Sequence, residues 1–105
     1  MLTISDKAHE MLLHYSAQAE EGDSLALRIE IVGRGPKGFQ YDLQFIDIND
    51  AGDDDVAQEA RGFQVRIAAR SAKYLDGATL DFKETLMGGG FSFENPNPLW
   101  IDDLS

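Results

Sequence analysis

No cysteine occurs in the sequence, so one chain can build no disulfide framework, no thiolate nucleophile and no thiolate-ligated zinc or iron-sulfur cluster. Basic residues are scarce: 9 Lys and Arg stand against 19 Asp and Glu, a formal net charge of −10. A surface of that sign repels phosphate, which argues against nucleic acid and anionic membranes and points to a basic protein surface as partner. Long apolar runs are missing, and none approaches the roughly 20 residues needed to span a bilayer. The opening Met1-Leu2-Thr3-Ile4-Ser5-Asp6 turns polar at once and lacks the basic-then-apolar order of a signal peptide, so a cytoplasmic protein is expected. Folding itself is not in doubt, because 43% hydrophobic and 10% aromatic residues exceed what a disordered chain carries. At 105 residues the expectation is a single domain over 1–105 with one modest core.

Hydropathy along the chain changes period. Ser5 suits an N-cap and Asp6 the positive end of a helix dipole. Behind them Ala8, Met11, Leu12, Tyr15 and Ala19 form one apolar stripe, which predicts a helix over Asp6–Ala19, ending before Gly22. From Leu25 to Val32 the period drops to two, with Leu25, Leu27, Ile29 and Ile31 on one face. Alternation resumes at Phe39, Tyr41, Leu43 and Phe45, so a hairpin joined by a long glycine loop is expected. Residues 49–55 read as an acidic surface turn, and Phe63, Val65 and Ile67 as a short strand. Ser71 is placed to cap a helical turn through Tyr74 and Leu75. Leu80 and Phe82 form another strand, Gly88-Gly89-Gly90 a flexible joint, and Phe91 and Phe93 a last strand closed by Asn95-Pro96-Asn97-Pro98. One helix followed by alternating strands without regular crossover helices is an α+β, mainly antiparallel pattern.

Candidate chemistry is thin. Gly33, Gly35 and Gly38 have the G-x-G-x-x-G spacing of a dinucleotide site, but that fingerprint must open a helix, and here a strand pattern follows. The same stretch, with Gly33, Arg34, Gly35, Lys37 and Gly38, offers an anion cradle or a partner contact loop, set against a plain turn with two solvated cations. His9 and His14 lie about 140° apart on a helix and cannot chelate one ion as an i, i+4 pair would; His14 reads as an ion-pair partner of Glu10. Asp53, Asp54 and Asp55 lack the spacing of a calcium loop, and Asp102 with Asp103 carries no motif. No G-x-S-x-G elbow or Ser/His/Asp constellation is present, so no catalytic residue is assigned and the protein is not expected to be an enzyme. The strand-spaced aromatics read as core.

Several pieces in order resemble the A-type iron-sulfur carrier family, the HesB/IscA-like domain. They are Thr3-Ile4-Ser5-Asp6 with Ala8, then Leu27-Arg28, then Gly35-x-x-Gly38-x-x-Tyr41-x-Leu43-x-Phe45. The most specific run is Ser71-Ala72-Lys73-Tyr74-Leu75-Asp76-Gly77-x-x-Leu80-Asp81-Phe82, followed by Gly90-Phe91-x-Phe93-x-Asn95-Pro96-Asn97. The resemblance implies a small β fold with an N-terminal helix. It also implies three cluster-binding cysteines, one in the glycine loop and two in the tail, and those positions fall here on Pro36, Asp102 and Leu104. The chain is thus a degenerate member, with no cofactor and no metal ligand expected. Its implied role is a non-ligating adaptor in iron-sulfur cluster assembly, whose partners are assembly factors or recipient apoproteins. Two alternatives remain at this point: a small-anion or phosphate-binding domain using Gly33 to Gly38, and a metal carrier using carboxylates and His. Family members commonly form dimers or tetramers, so a homodimer is among the expected states, although the charge opposes self-association.

Overall fold

Ser5 starts the first helix as its pattern predicts. Its Oγ accepts the Ala8 N–H at 3.1 Å and donates to Asp81 Oδ1 at 2.7 Å, so one hydroxyl both caps the helix and ties it to a distant strand. The structure, a computed structural model, describes residues 1–18, 25–36, 38–86 and 88–98. Helix α1 spans Asp6–Ala17 and is closed by Gln18, two residues short of the expected end at Ala19, which lies outside the described residues. The strands are β1 (Thr3–Ile4), β2 (Leu25–Gly35), β3 (Gly38–Asp47), β4 (Val56–Ala60), β5 (Phe63–Ile67), β6 (Thr79–Thr85) and β7 (Gly88–Glu94), with a one-turn helix α2 (Ala72–Leu75) before β6.

Two sheets result, ordered β3-β2-β5-β4 and β1-β6-β7. The β2–β3 hairpin is antiparallel as expected, and β4–β5 and β6–β7 are antiparallel too, but β2–β5 and β1–β6 are parallel, so the α+β fold is mixed with antiparallel pairing predominant. The β2–β5 parallel seam arises because β3 sits at one edge and the chain crosses through a 3-10 turn at Ile48–Asp50 to enter the opposite edge as β4. Alternation along a strand cannot encode that crossing.

The core is the apolar face of β2 and β5 against α1, α2 and β6. Leu12, Leu27, Ile29, Val65, Leu75 and Leu80 are essentially fully buried. Leu2 joins them, held by Gln58, whose side-chain amide donates to Leu2 O at 2.6 Å and accepts from Leu2 N at 3.3 Å. That buried amide reproduces the pairing of a missing strand and links the two sheets. No helix among the described residues is long and apolar enough to cross a membrane.

Several expectations are corrected. The long glycine loop does not exist: Gly33 and Gly35 lie in β2, Gly38 opens β3 opposite Gly35, and a bulge at Val32 absorbs the change of register. Gly88-Gly89-Gly90 is the start of β7, paired to β6, and not a joint. At Gly89 a Cβ would lie 3.0 Å from the Lys83 carbonyl and 3.0 Å from the Phe82 ring, so the glycine is there for close packing. Ser71 is 1% exposed and makes no side-chain cap; its Oγ accepts the Ile31 N–H at 3.0 Å, pinning α2 to β2. The acidic turn lies on the surface as expected, and Asp55 ties it to β2 by taking Arg28 Nε at 2.9 Å and Nη2 at 3.3 Å. Among the aromatics, Phe63 and Phe82 are buried and Phe39, Tyr41, Phe91 and Phe93 partly so, whereas Phe45 is 39% exposed beside Tyr15.

Candidate functional site

The tight β2–β3 hairpin carries Pro36 to an exposed tip, and the strand register then sets Phe39 and Tyr41 on β3 facing the end of β7. Tyr41 stacks on Phe93 with centroids 4.0 Å apart and planes 21° from parallel, bridging the two sheets. Pro36, Gly38, Phe39, Tyr41, Phe93, Asn95, Asn97 and Pro98 line a cleft of about 490 Å³ at this junction.

Asn95 and Asn97 build one wall. Asn95 Nδ2 donates to Tyr74 O at 2.7 Å and to Tyr41 Oη at 3.1 Å. Asn97 Nδ2 donates to Tyr74 O at 2.8 Å and Asp76 O at 2.8 Å, while its backbone N–H donates to Asn95 Oδ1 at 3.0 Å. Carbonyls at the end of a helix have no partner within it, and here two asparagine side chains supply the donors that a longer α2 would have found. Burial pushes the Tyr41 hydroxyl above its ordinary pKa, against the opposing pull of the Asn95 hydrogen bond.

Cations flank the cleft. The Arg34 guanidinium lies 4.7 Å from the Tyr74 ring centre and 5.8 Å from that of Phe39, and Lys73 Nζ lies 5.4 Å from Tyr74. Arg70 pairs with Glu30, which also accepts from Arg28 Nη1 at 3.0 Å. Together these make the chain Asp55–Arg28–Glu30–Arg70 on the outer face of the larger sheet. Hydrogen bonds from Arg28, then from Arg70, hold the Glu30 carboxyl below the usual carboxylate range. A smaller recess of about 240 Å³ lies beside Arg34 and Arg70, with Ser71 and Tyr74 in its wall.

Of the residues singled out in the sequence, Gly33, Arg34, Gly35, Pro36 and Gly38 are brought together at the hairpin tip. Lys37, Asp102, Asp103 and Leu104 lie outside the described residues. His9 Nε2 sits 3.3 Å from the Arg61 carbonyl oxygen. His14 Nε2 accepts from the Gln18 side-chain amide at 3.2 Å, in place of the expected Glu10 pair. Asp53 and Asp54 are exposed. The roles of Asn95, Asn97, Gln58 and the Arg28–Asp55 pair were not read from the sequence. A signal existed for the asparagines in their alternation around Pro96, since short amides flanking a proline are frequent capping groups.

The donors at the cleft do not suit a thiophilic cluster. Pro36 has no donor atom, the Asn95 and Asn97 amides are committed to carbonyls, and the Tyr41 hydroxyl is bonded to Asn95. Among the described residues no three His, Cys, Asp or Glu side chains gather to hold a metal. The residues present therefore do not fit an iron-sulfur cluster, which demands soft thiolate ligands.

Fold and site together define a class: a two-sheet α+β scaffold whose hairpin tip meets an Asn-Pro-Asn wall, without ligands at the point where they converge. The chain belongs to the iron-sulphur cluster biosynthesis family, which it matches over residues 1–98. It is 38% identical over 96 residues to the iron-binding protein IscA of Serratia proteamaculans, covering 91% of this chain and 86% of that protein. It is 44% identical over 80 residues to a putative iron-sulfur cluster insertion protein ErpA of Delftia acidovorans, covering 75% and 63% respectively. A crystal structure of IscA with the 2Fe-2S cluster superposes with a TM-score of 0.75 at 29% identity, over 92% of this chain and 86% of that one. The fold expected from the pattern, the family and the degenerate, cysteine-free character are thereby borne out.

Proposed function

We propose that this chain acts in iron-sulfur cluster biogenesis as a non-ligating adaptor that docks an assembly factor or a recipient apoprotein. The observation that carries the reading is Pro36 at the hairpin tip of an otherwise intact family scaffold in a sequence without cysteine. The named relatives, an iron-binding protein and a cluster insertion protein, supply the process; the donor set removes cluster ligation from this chain's part in it. The role calls for no catalytic group and is read as that of a cytoplasmic protein, acting as a monomer or a homodimer. A small-anion cradle at Gly33 to Gly38 has less support, because those glycines enter the β2–β3 ladder instead of presenting a loop of free N–H groups. A carboxylate and His metal carrier has less support because His9 and His14 engage Arg61 and Gln18.

The test is co-purification of the tagged chain with purified carrier proteins of the family and with iron-sulfur apoproteins, together with anaerobic reconstitution of the chain alone. Retention of at least one such protein, with no sulfur-to-iron charge-transfer absorption from the chain itself, is the expected result. Failure to retain any of them ends the adaptor reading, and a stable charge-transfer band ends the non-ligating part.

A further inference from the structure

Strand β4 forms an open edge of the four-stranded sheet among the described residues. It is joined to β5 by the two-residue turn Arg61-Gly62, both at positive φ (49° and 91°), the geometry of a tight hairpin. In such a hairpin the flanking pair Ala60–Phe63 is hydrogen-bonded, and the alternation then makes Gln58–Val65 and Val56–Ile67 the other bonded pairs. Ala57 and Glu59 consequently turn their backbone N–H and C=O away from β5, toward the open side. The devices that usually blunt an edge are sparse: β4 has no proline, no lysine and no bulge.

Beside this edge, on the core side, lies a groove of about 380 Å³ that is mainly apolar, with Met1, Leu2, Val56, Ile67, Ala72 and Leu75 in its walls. Val56 is 43% exposed there and Met1 79%. Charges around it favour a cation. Asp53 and Asp54, both exposed, precede the strand at the groove's end; Lys73 lines the groove, Asp76 is paired with the Met1 amine, and on the opposite face Glu59 is exposed and Arg66 donates to Gln64.

We propose that β4 takes up an extended segment of a client protein as an added antiparallel strand, with alternate apolar side chains in the groove and a basic end beside Asp53 and Asp54. This rests on the adaptor reading and names the surface and the chemistry of its client. A five-residue edge offers main-chain bonding at Ala57 and Glu59, which sets affinity, while the groove selects side chains at every second position. Antiparallel addition brings the segment's C-terminal end to the acidic side, so its Lys or Arg residues follow the apolar alternation.

The experiment uses the full chain, isotope-labelled, and the synthetic amidated octapeptide TVTVTVKK as probe. Addition of excess peptide should slow amide hydrogen exchange at Ala57 and Glu59 by at least about tenfold, whereas TVTVTVEE should protect them less. Unchanged exchange at both amides with millimolar TVTVTVKK overturns the proposal. Ala57→Pro removes an outward N–H and leaves the β5 ladder intact, since proline is accepted on an edge facing solvent; it should weaken peptide binding by about tenfold or more, and undiminished binding refutes the site. Should Ala57→Pro fail to fold, Asp54→Lys serves instead: it should lower affinity for TVTVTVKK and raise it for TVTVTVEE, and unchanged affinities for both refute the site. Sedimentation that shows wild-type dimers abolished by Ala57→Pro would assign the edge to a second copy and overturn the client. If wild type and Ala57→Pro retain a purified apoprotein equally well, the edge site falls and the adaptor reading stands. If wild type retains none while TVTVTVKK protects Ala57 and Glu59, the adaptor reading falls and the edge site stands.

Discussion

Asp55→Asn tests whether the acidic turn is held by charge. In the native protein the Asp55 side chain is 6% exposed and takes two hydrogen bonds from Arg28, which is itself 26% exposed. Hydrogen bonds to charged groups contribute about 1.5–3 kcal/mol, and the partial exposure of Arg28 places this pair toward the lower end. The asparagine keeps one acceptor oxygen and loses the charge, so the expected cost at pH 7 is about 1–2 kcal/mol, or roughly 5–10 °C in Tm for a domain near 100 residues. The pH dependence has a definite sign. The Arg28 hydrogen bond, chiefly, holds the Asp55 carboxyl below the usual carboxylate range in the folded state. Its contribution is therefore complete above the unfolded pKa of about 3.9 and lost as pH falls through the lower folded value. Thermal melts of wild type and variant by circular dichroism should differ fully from pH 7 down to about pH 5, then converge below about pH 4. A deficit under about 2 °C at pH 7, or one that stays constant into acid, would refute this reasoning.

Other substitutions probe the close packing and the asparagine wall. Gly89→Ala drives a Cβ against the Lys83 carbonyl and the Phe82 ring, neither of which can swing aside, and should cost about 1–3 kcal/mol in urea unfolding. Gly33→Ala meets the exposed Gln40 side chain, whose end can rotate away, and should cost less than about 1 kcal/mol; the reverse order would show that the strands are not packed as described. Asn97→Ala strips donors from Tyr74 O and Asp76 O and should lower stability by about 1–2 kcal/mol while changing the near-ultraviolet tyrosine dichroism. A near-ultraviolet spectrum identical to wild type would mean the amide does not position this wall.

Legibility in the sequence followed the strength of one-sided burial. α1, β2, β5 and β6 each set a regular apolar face on the core, and their residues were readable from period alone. β4 was missed because Val56, Gln58 and Ala60, its core-facing positions, include a buried glutamine whose partner is the Leu2 backbone, so polarity no longer reports burial. β1 is only two residues long, too short to show any period. The glycine-rich segments misled for a different reason. Glycine marks both mobile turns and places where two strands approach closely, and only the neighbours at Gly33 and Gly89 tell these apart. At the candidate site, the glycine-rich stretch around Pro36 stood out in the sequence, whereas the cleft did not. It is assembled from β3, α2 and the end of β7, segments that only the two-sheet topology brings together.

The seam between β1 and β6 has a consequence for the order of folding. All four strands of the larger sheet come from the stretch Leu25 to Ile67, and even its longest-range pairing, Ala26 with Gln64, closes a loop about half as long as the one that joins β1 to β6. The smaller sheet instead pairs Thr3 with Thr79 and Ile4 with Leu80, so its first strand must wait for chain more than seventy residues later. During synthesis the larger sheet can therefore assemble, and offer Gln58 to Leu2, while Thr3 and Ile4 still lack β6 and the helix cap at Ser5 still lacks Asp81. The closing of that long loop, costly in chain entropy and rewarded only at the end, makes the N-terminal strand the last piece of the molecule to lock.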